Sequence, residues 1–483
     1  MKNSVINVKY SGSILLLICI ALISCFKDKG NYDYNAINDI AIVNADTMVF
    51  NAKENLFIRP VLVQELANNE DRLKYEWVLN AMASNSANAT RVLATTRDIN
   101  IPMPLTAQKD YYQLDYKVMD TVTGVTYRKR ISVLIATDYQ VGWALLERGA
   151  ANADISFISI PGNKVYHNAF SAINPGKVLP NTAHSLFLYN IPKGSSGNVS
   201  YQAQTVTAVL FDNDGYLLNY QTLGVLANYS SFFTAPLSII KPEYIQKLDA
   251  WSSSNDLITI NNGLLYRRYY SKGMLSFSVP AHTTSDLKPY YLAPGGEPTG
   301  YFYDTLNNRF LNGYGGVLTP LTYNSFSGDG FDAGNVDKRF VTMGQSSNNT
   351  VAILKDAEGL YMYTITSSPK KLTKIAGPAG IENSPGFQFV QIVPLMYYAV
   401  NNQIYVYDIQ AQTHRVVYSF PPNENVTALK LQDDYTLLAA TYNNSGSVYF
   451  LSLEGTGNVS GGAYTKKYDG FGRIVSMVHT ESK

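Results

Sequence analysis

Cysteine and charge are both scarce in this 483-residue chain. Cys19 and Cys25 are the only cysteines, charged residues make up 16%, and 38 Lys and Arg against 37 Asp and Glu leave a net charge of +1. Two cysteines cannot build a disulfide framework or a thiolate zinc centre. No run of Lys or Arg stands out, which removes the electrostatic footprint of a nucleic-acid binder and the polybasic patch of a membrane-surface protein. Histidine is rare as well: His167, His184, His282, His414 and His479 form neither a close pair nor an H-E-x-x-H motif. G-x-S-x-G, the P-loop and G-x-G-x-x-G are all missing. Past residue 23 there is no long apolar run and no sustained 3.6-residue periodicity. Aromatics are plentiful instead, at 12% with 37 Tyr. Tyrosine with short apolar alternation favours strands, so the expected fold class is all-β.

The first residues read as an export signal. Lys2 and Lys9 precede the apolar run 14–23, which is too short for a bilayer span of about 20 residues but suits a cleaved signal. Leu22-Ile23-Ser24-Cys25 resembles the bacterial lipobox, in which the cysteine receives lipid. The expectation is therefore a signal over 1–24, lipidation of Cys25 and a tether over 25–36. Lys27-Asp28 partly resembles the charged signal that sends Bacteroidetes lipoproteins to the outer face of the outer membrane, although Lys29 stands where a second acid is usual. The expected location is the outer membrane, lipid-anchored and facing the exterior.

Residues 37–136 read as a first domain. Leu73-Lys74-Tyr75-Glu76-Trp77-Val78-Leu79 alternates with period two, and a strand over 112–118 faces another over 127–135 across a turn containing Gly124. The stretch 56–63 is broken by Pro60, which suits an edge or a bulge. Short strands around a single central Trp77 fit an immunoglobulin-like sandwich of the PKD variety, with Trp77 in its core.

Residues 137–483 carry a repeat. A turn pair precedes a Tyr-rich strand at Gly162-Asn163, Asp214-Gly215, Asn262-Gly263, Asn307-Asn308, Glu358-Gly359, Asn401-Asn402 and Ser445-Gly446. From Tyr166 the steps to Tyr216, Leu264, Phe310, Leu360, Ile404 and Val448 are 50, 48, 46, 50, 44 and 44 residues. A period in this range with a hairpin per unit predicts a β-propeller, most simply seven-bladed, with six or eight blades left open by the ragged early copies. Residues 472–478 are left over and would close the ring by pairing near 141–146.

Together, the lipobox cysteine, the Lys27-Asp28-Lys29-Gly30-Asn31-Tyr32-Asp33-Tyr34 stretch, the PKD-like domain and the long β tail resemble the PKD-like lipoproteins of Bacteroidetes. That resemblance implies an accessory of an uptake system built on a TonB-dependent transporter and a SusD-type lipoprotein, taking up a glycan or peptide. It implies no catalytic residues and no cofactor.

Functional residues concentrate on long loops over rigid scaffolds. Three stretches are expected to be connections between blades: 228–236, 327–337 and 377–385. In the first, Tyr229, Phe232 and Phe233 would suit stacking on a sugar ring or peptide side chain, and would equally suit packing between blades. In the second, Asp329 and Asp332 could meet calcium, but their spacing departs from the EF-hand pattern. Two rivals to a binding or assembly accessory stand: a propeller glycoside hydrolase or lyase using carboxylates near the axis, and a purely structural interaction platform.

Overall fold

The computed structural model describes residues 37–480 except 67–69, 81–89, 108–109, 161, 192–193, 197–198, 202–203, 249–255, 269–276, 278–279, 281–286, 294–299, 315–316, 322–331, 348 and 366–370. Cys25 and Asp329 lie outside the described residues. The chain is all-β and forms two compact units. One takes the chain up to 48, 56–101 and 112–133, and the other takes 49–55, 102–111 and 134 onward.

The first unit is built on a five-stranded sheet ordered Thr47–Asn51, Thr126–Ala136, Tyr112–Asp120, Leu73–Leu79, Arg91–Ala94. Because side chains alternate across a strand, one face of the three inner strands carries Trp77, Leu79, Leu114, Tyr116, Val118 and Ile131, all buried. Trp77 lies opposite Tyr116, with ring centroids 4.2 Å apart, and its Nε1–H donates to the Thr96 carbonyl at 3.1 Å. It is a core residue whose polar edge is satisfied. Pro60, which offers no N–H to a ladder, separates Asn55–Ile58 from Val61–Gln64, and these pair in two different two-stranded sheets.

The second unit is a seven-bladed propeller. Seven antiparallel sheets follow one another, the first at 142–166 and the rest at 185–228, 242–268, 289–320, 339–374, 387–419 and 425–471. Arg473–His479 then returns to pair with Gly142–Arg148, giving the first sheet the order Lys164–Tyr166, Asn152–Ser159, Gly142–Arg148, Arg473–His479. Residues 472–478 were expected to do this, and the register Trp143↔His479, Leu146↔Ser476 confirms it.

Among the described residues, seven apolar clusters fill the spaces between neighbouring sheets, and alternation explains how one strand serves two of them. On Gly142–Arg148, Ala144 and Leu146 enter the cluster shared with the second sheet, around Phe157, Leu186 and Val209. Trp143 and Leu145 enter the cluster shared with the seventh, around Leu438, Val448 and Ile474. Strands covered on both faces read as continuous apolar runs, as in Trp143-Ala144-Leu145-Leu146 and Leu437-Leu438-Ala439-Ala440, all fully buried.

The repeat in the sequence marks the turn between second and third strands in sheets two to seven. Asn262, Asn308 and Asn401 sit there at φ near +50°, a conformation whose cost is lowest for Gly and Asn. The first copy is out of phase. Gly162-Asn163 joins the third strand of its sheet to the fourth, because the innermost place is taken by Arg473–His479 from the far end of the chain.

Candidate functional site

The described parts of the three long connections lie between the last strand of one sheet and the first strand of the next: 228–236 follows Val225–Asn228, 332–337 comes after Val317–Pro320, and 377–385 follows Lys371–Lys374. They share a rim of the propeller with the turns between second and third strands, since each strand reverses direction.

The residues predicted for contact are placed as follows. Tyr229 is fully buried between the second and third sheets, so its ring offers no face to a ligand. Its hydroxyl meets the Thr259 hydroxyl at 2.8 Å, and Thr259 donates onward to the Tyr244 carbonyl at 2.7 Å. A buried tyrosine is tolerable when its hydroxyl finds such a partner, and burial raises that hydroxyl above the ordinary tyrosine range. Phe233 is half-buried, edge-on to Tyr229 at 5.2 Å and to Tyr266 at 5.0 Å. Phe232 is half-buried against the same cluster. The aromatic connection is thus packing between sheets, the alternative that the sequence had left open. Asp332 accepts the Gly334 backbone N–H at 2.8 Å, closing a local turn. Among the described residues no three His, Cys, Asp or Glu side chains converge as metal ligands.

The same rim holds a cavity of about 120 Å³ that no sequence motif announced, lined by Glu147, Asn152, Asp154, His167, Gly470 and Gly472 among others. Glu147 and Asp154 are directly opposite on neighbouring strands, so their β-carbons are about 5 Å apart. Such a pair in a cleft invites comparison with glycosidase carboxylates. The hydrogen bonds argue otherwise. Glu147 is only 5% exposed; its Oε1 accepts the Ser156 hydroxyl, and its Oε2 accepts the Gly472 backbone N–H at 2.5 Å. Burial pushes its carboxyl above the usual range, and those two bonds only partly offset the shift. Asp154 Oδ1 accepts the backbone N–H groups of Ile155 at 2.7 Å and Ser171 at 3.3 Å. The His167 ring leans on Phe471 at 5.0 Å. With both oxygens engaged internally, Glu147 fastens the returning strand. The cavity, well below the roughly 300 Å³ of small-ligand sites, has room for a few waters. The one signal in the sequence was an acid ending an apolar strand, Trp143-Ala144-Leu145-Leu146-Glu147.

The second candidate surface is the outer face of the five-stranded sheet, where a groove of about 630 Å³ is lined by Lys74, Tyr75, Glu76, Lys117, Met119, Thr126 and Arg128. Lys117 Nζ pairs with Glu76 at 2.8 Å. Arg128 and Arg130 both bind Asp115, the latter at 3.0 Å. Burial alone would raise the Asp115 carboxyl, but the hydrogen bonds from Arg130, Arg128 and Asn80 outweigh it and hold the group below the usual range.

No curated protein matches the chain in sequence. Among solved structures, a quinonprotein alcohol dehydrogenase-like protein from Bacteroides thetaiotaomicron is 12% identical, with 92% of this chain and 100% of that chain covered and a TM-score of 0.44. A chain of a mitotic checkpoint complex is 11% identical, with 56% of this chain and 78% of that one covered and a TM-score of 0.37. Likenesses this distant carry no function, and the propeller assignment rests on the strand order itself. The model of the PKD-like family matches residues 25–182, from Cys25 past the strand Lys164–Tyr166. Over that span the chain is similar to the PKD-like family.

Proposed function

We propose that this chain is a lipid-anchored lipoprotein of the outer membrane, facing the exterior. In that reading it is a non-catalytic binding or assembly accessory of a glycan or peptide uptake system with a TonB-dependent transporter and a SusD-type partner. The observation that carries the reading is the start of the PKD-like match at residue 25, the residue that the lipobox pattern makes the lipidated one. Support also comes from the use to which the only buried acid of the rim cavity is put, namely holding the ring together. Cys25→Ala expressed in a bacterial host with lipoprotein export should leave the membrane fraction, while the parent chain stays in it. Affinity capture of the parent chain from solubilised outer membranes should recover a transporter or a SusD-type lipoprotein. Retention of Cys25→Ala in the membrane would sink the anchor, and capture without either partner would sink the accessory role.

A further inference from the structure

We infer that one outer face of the PKD-like unit, on the sheet that pairs Ile40–Val43 with Val61–Gln64, lies against the lipid surface to which Cys25 is fastened. The inference rests on the anchor reading above and deepens it: the unit rests on the bilayer by a defined face instead of standing off on its tether.

Exposure alternates along both strands and the residues that flank them. On one, Ile37, Asp39, Ala41 and Val43 are exposed while Asn38 and Ile40 are buried. On the other, Phe57, Arg59, Val61 and Val63 are exposed while Leu56, Ile58 and Pro60 are buried. Side chains alternate across a strand, so each exposed set forms one stripe. The register Ala41↔Val63, Val43↔Val61 lays the two stripes side by side. An antiparallel sheet with one solvated face ordinarily reads apolar in and polar out. Here the outward residues are mostly apolar too: Ile37, Val43, Phe57, Val61 and Val63 are each 51–61% exposed. The five-stranded sheet of the same unit keeps the ordinary pattern, with Lys74, Glu76, Lys117 and Arg128 along its outer groove. Three charges border or interrupt the stripes. Arg59 pairs with Asp98 at 3.1 Å. Asp39 and Glu65 lie together at one end, where the Glu65 N–H donates to the Asp39 carbonyl at 2.9 Å.

What covers this face follows from where the chain goes. Ile37, the first described residue, is on the stripe itself. The residues 25–36 that join it to Cys25 span at most roughly 40 Å when fully extended. The bilayer is therefore held within reach of the patch, and so short a link makes the contact effectively intramolecular. A protein partner has to be recruited from solution. The stripes amount to roughly 500 Å² of apolar surface, enough to mark a contact site on a monomer but short of the roughly 800 Å² per partner of a stable protein interface. Both paired strands are 4 residues long, and so short an edge offers little to strand addition. A lipid surface needs neither. Its interfacial layer admits apolar side chains to a depth of about 5–10 Å. At that depth water still reaches the backbone groups along the sheet's edges, which the hydrocarbon core would leave unsatisfied. With two acids against one arginine, the face suits zwitterionic headgroups over anionic ones.

The test uses the full lipidated chain in phosphatidylcholine vesicles. Cys19 leaves with the signal and Cys25 is acylated, so a cysteine introduced elsewhere takes a fluorescent label alone. Val43→Cys and Val61→Cys report on the patch, and Val92→Cys, equally exposed on the five-stranded sheet, is the control. Quenching is read with doxyl-labelled lipid in the bilayer and with iodide in the water. Labels at 43 and 61 should be quenched by the lipid probe at least about twofold more than the label at 92, and by iodide at least about twofold less. Val61→Asp, at an exposed position, should return the label at 43 to the control's iodide access with an unchanged unfolding temperature. Equal iodide access at 43, 61 and 92 would overturn the inference. So would protection from iodide without lipid quenching, the pattern of a second copy or a protein partner. In either case, flotation of the parent chain with the vesicles and loss of Cys25→Ala from them keeps the anchor reading standing. A parent chain that did not float with the vesicles would remove both.

Discussion

Gly472 donates its backbone N–H to the Glu147 carboxylate at 2.5 Å across a sequence separation of 325 residues. The bond sits where Arg473–His479 joins Gly142–Arg148, beside the register shift at Leu146/Glu147. Gly472 lies one residue before the ladder begins at Arg473, and a buried side chain takes up its N–H.

This arrangement gives a pH dependence. The folded state holds the Glu147 proton more tightly than an unfolded chain would, because burial raises the carboxyl above its ordinary value of 4.5. Stability from this group is therefore full below that value and is lost as the pH rises through the folded-state value. Glu147→Gln should flatten the part of the melting temperature–pH curve that starts just above pH 4.5. An unchanged curve would show that Glu147 does not titrate in this window. Glu147→Ala, which strands the Gly472 N–H and the Ser156 hydroxyl, should cost about 2–5 kcal/mol at either end of the range.

Closure of the ring depends on apolar burial as well. Ile474 is fully buried among Trp143, Leu145 and Leu438, and Ile474→Ala should cost about 2–5 kcal/mol. Ile474→Asp should release the strand. Limited proteolysis would then cut near the C-terminal end long before it cut the parent chain.

At Tyr229 the packing and binding readings part. Tyr229→Phe removes the bond to Thr259 and should cost about 1 kcal/mol, whereas Tyr229→Ala leaves a cavity and should cost about 3–5 kcal/mol. Both are measurable by urea denaturation. A variant with normal stability but altered ligand binding would return the aromatic connection to the list of contact sites.

In the PKD-like unit, Trp77→Ala removes the ring stacked on Tyr116 and frees the Thr96 carbonyl. The expected loss is about 3–5 kcal/mol, read by calorimetry. A loss below about 1 kcal/mol would mean that Trp77 is not a core anchor.

The propeller was legible because Asn262, Asn308 and Asn401 adopt positive φ at equivalent turns, a local demand that leaves a local trace. The phase of the first copy was not legible. Nothing near Gly162-Asn163 records that the innermost strand of its sheet comes from residues 473–479, since pairing across the whole propeller has no local signature. Glu147 escaped notice for the same reason: its partner Gly472 is near only in three dimensions. Tyr229 was ambiguous because an aromatic flanked by Asn and Ser reads as exposed until a hydroxyl such as that of Thr259 is found for it. On the PKD-like sheet, each of Lys74, Lys117 and Arg128 looked like an ordinary solvated strand residue. Only the register between strands gathers them on one face.

The returning strand also imposes an order in time. Gly142–Arg148 is synthesised some 330 residues before its partner, and Thr480, whose N–H donates to the Gly142 carbonyl, follows directly on that partner. Until then the first sheet has an open edge, the kind of surface on which chains pair with their neighbours. A chain that lacks the returning strand therefore keeps its first sheet open, and closure of the propeller waits on residues 473–479.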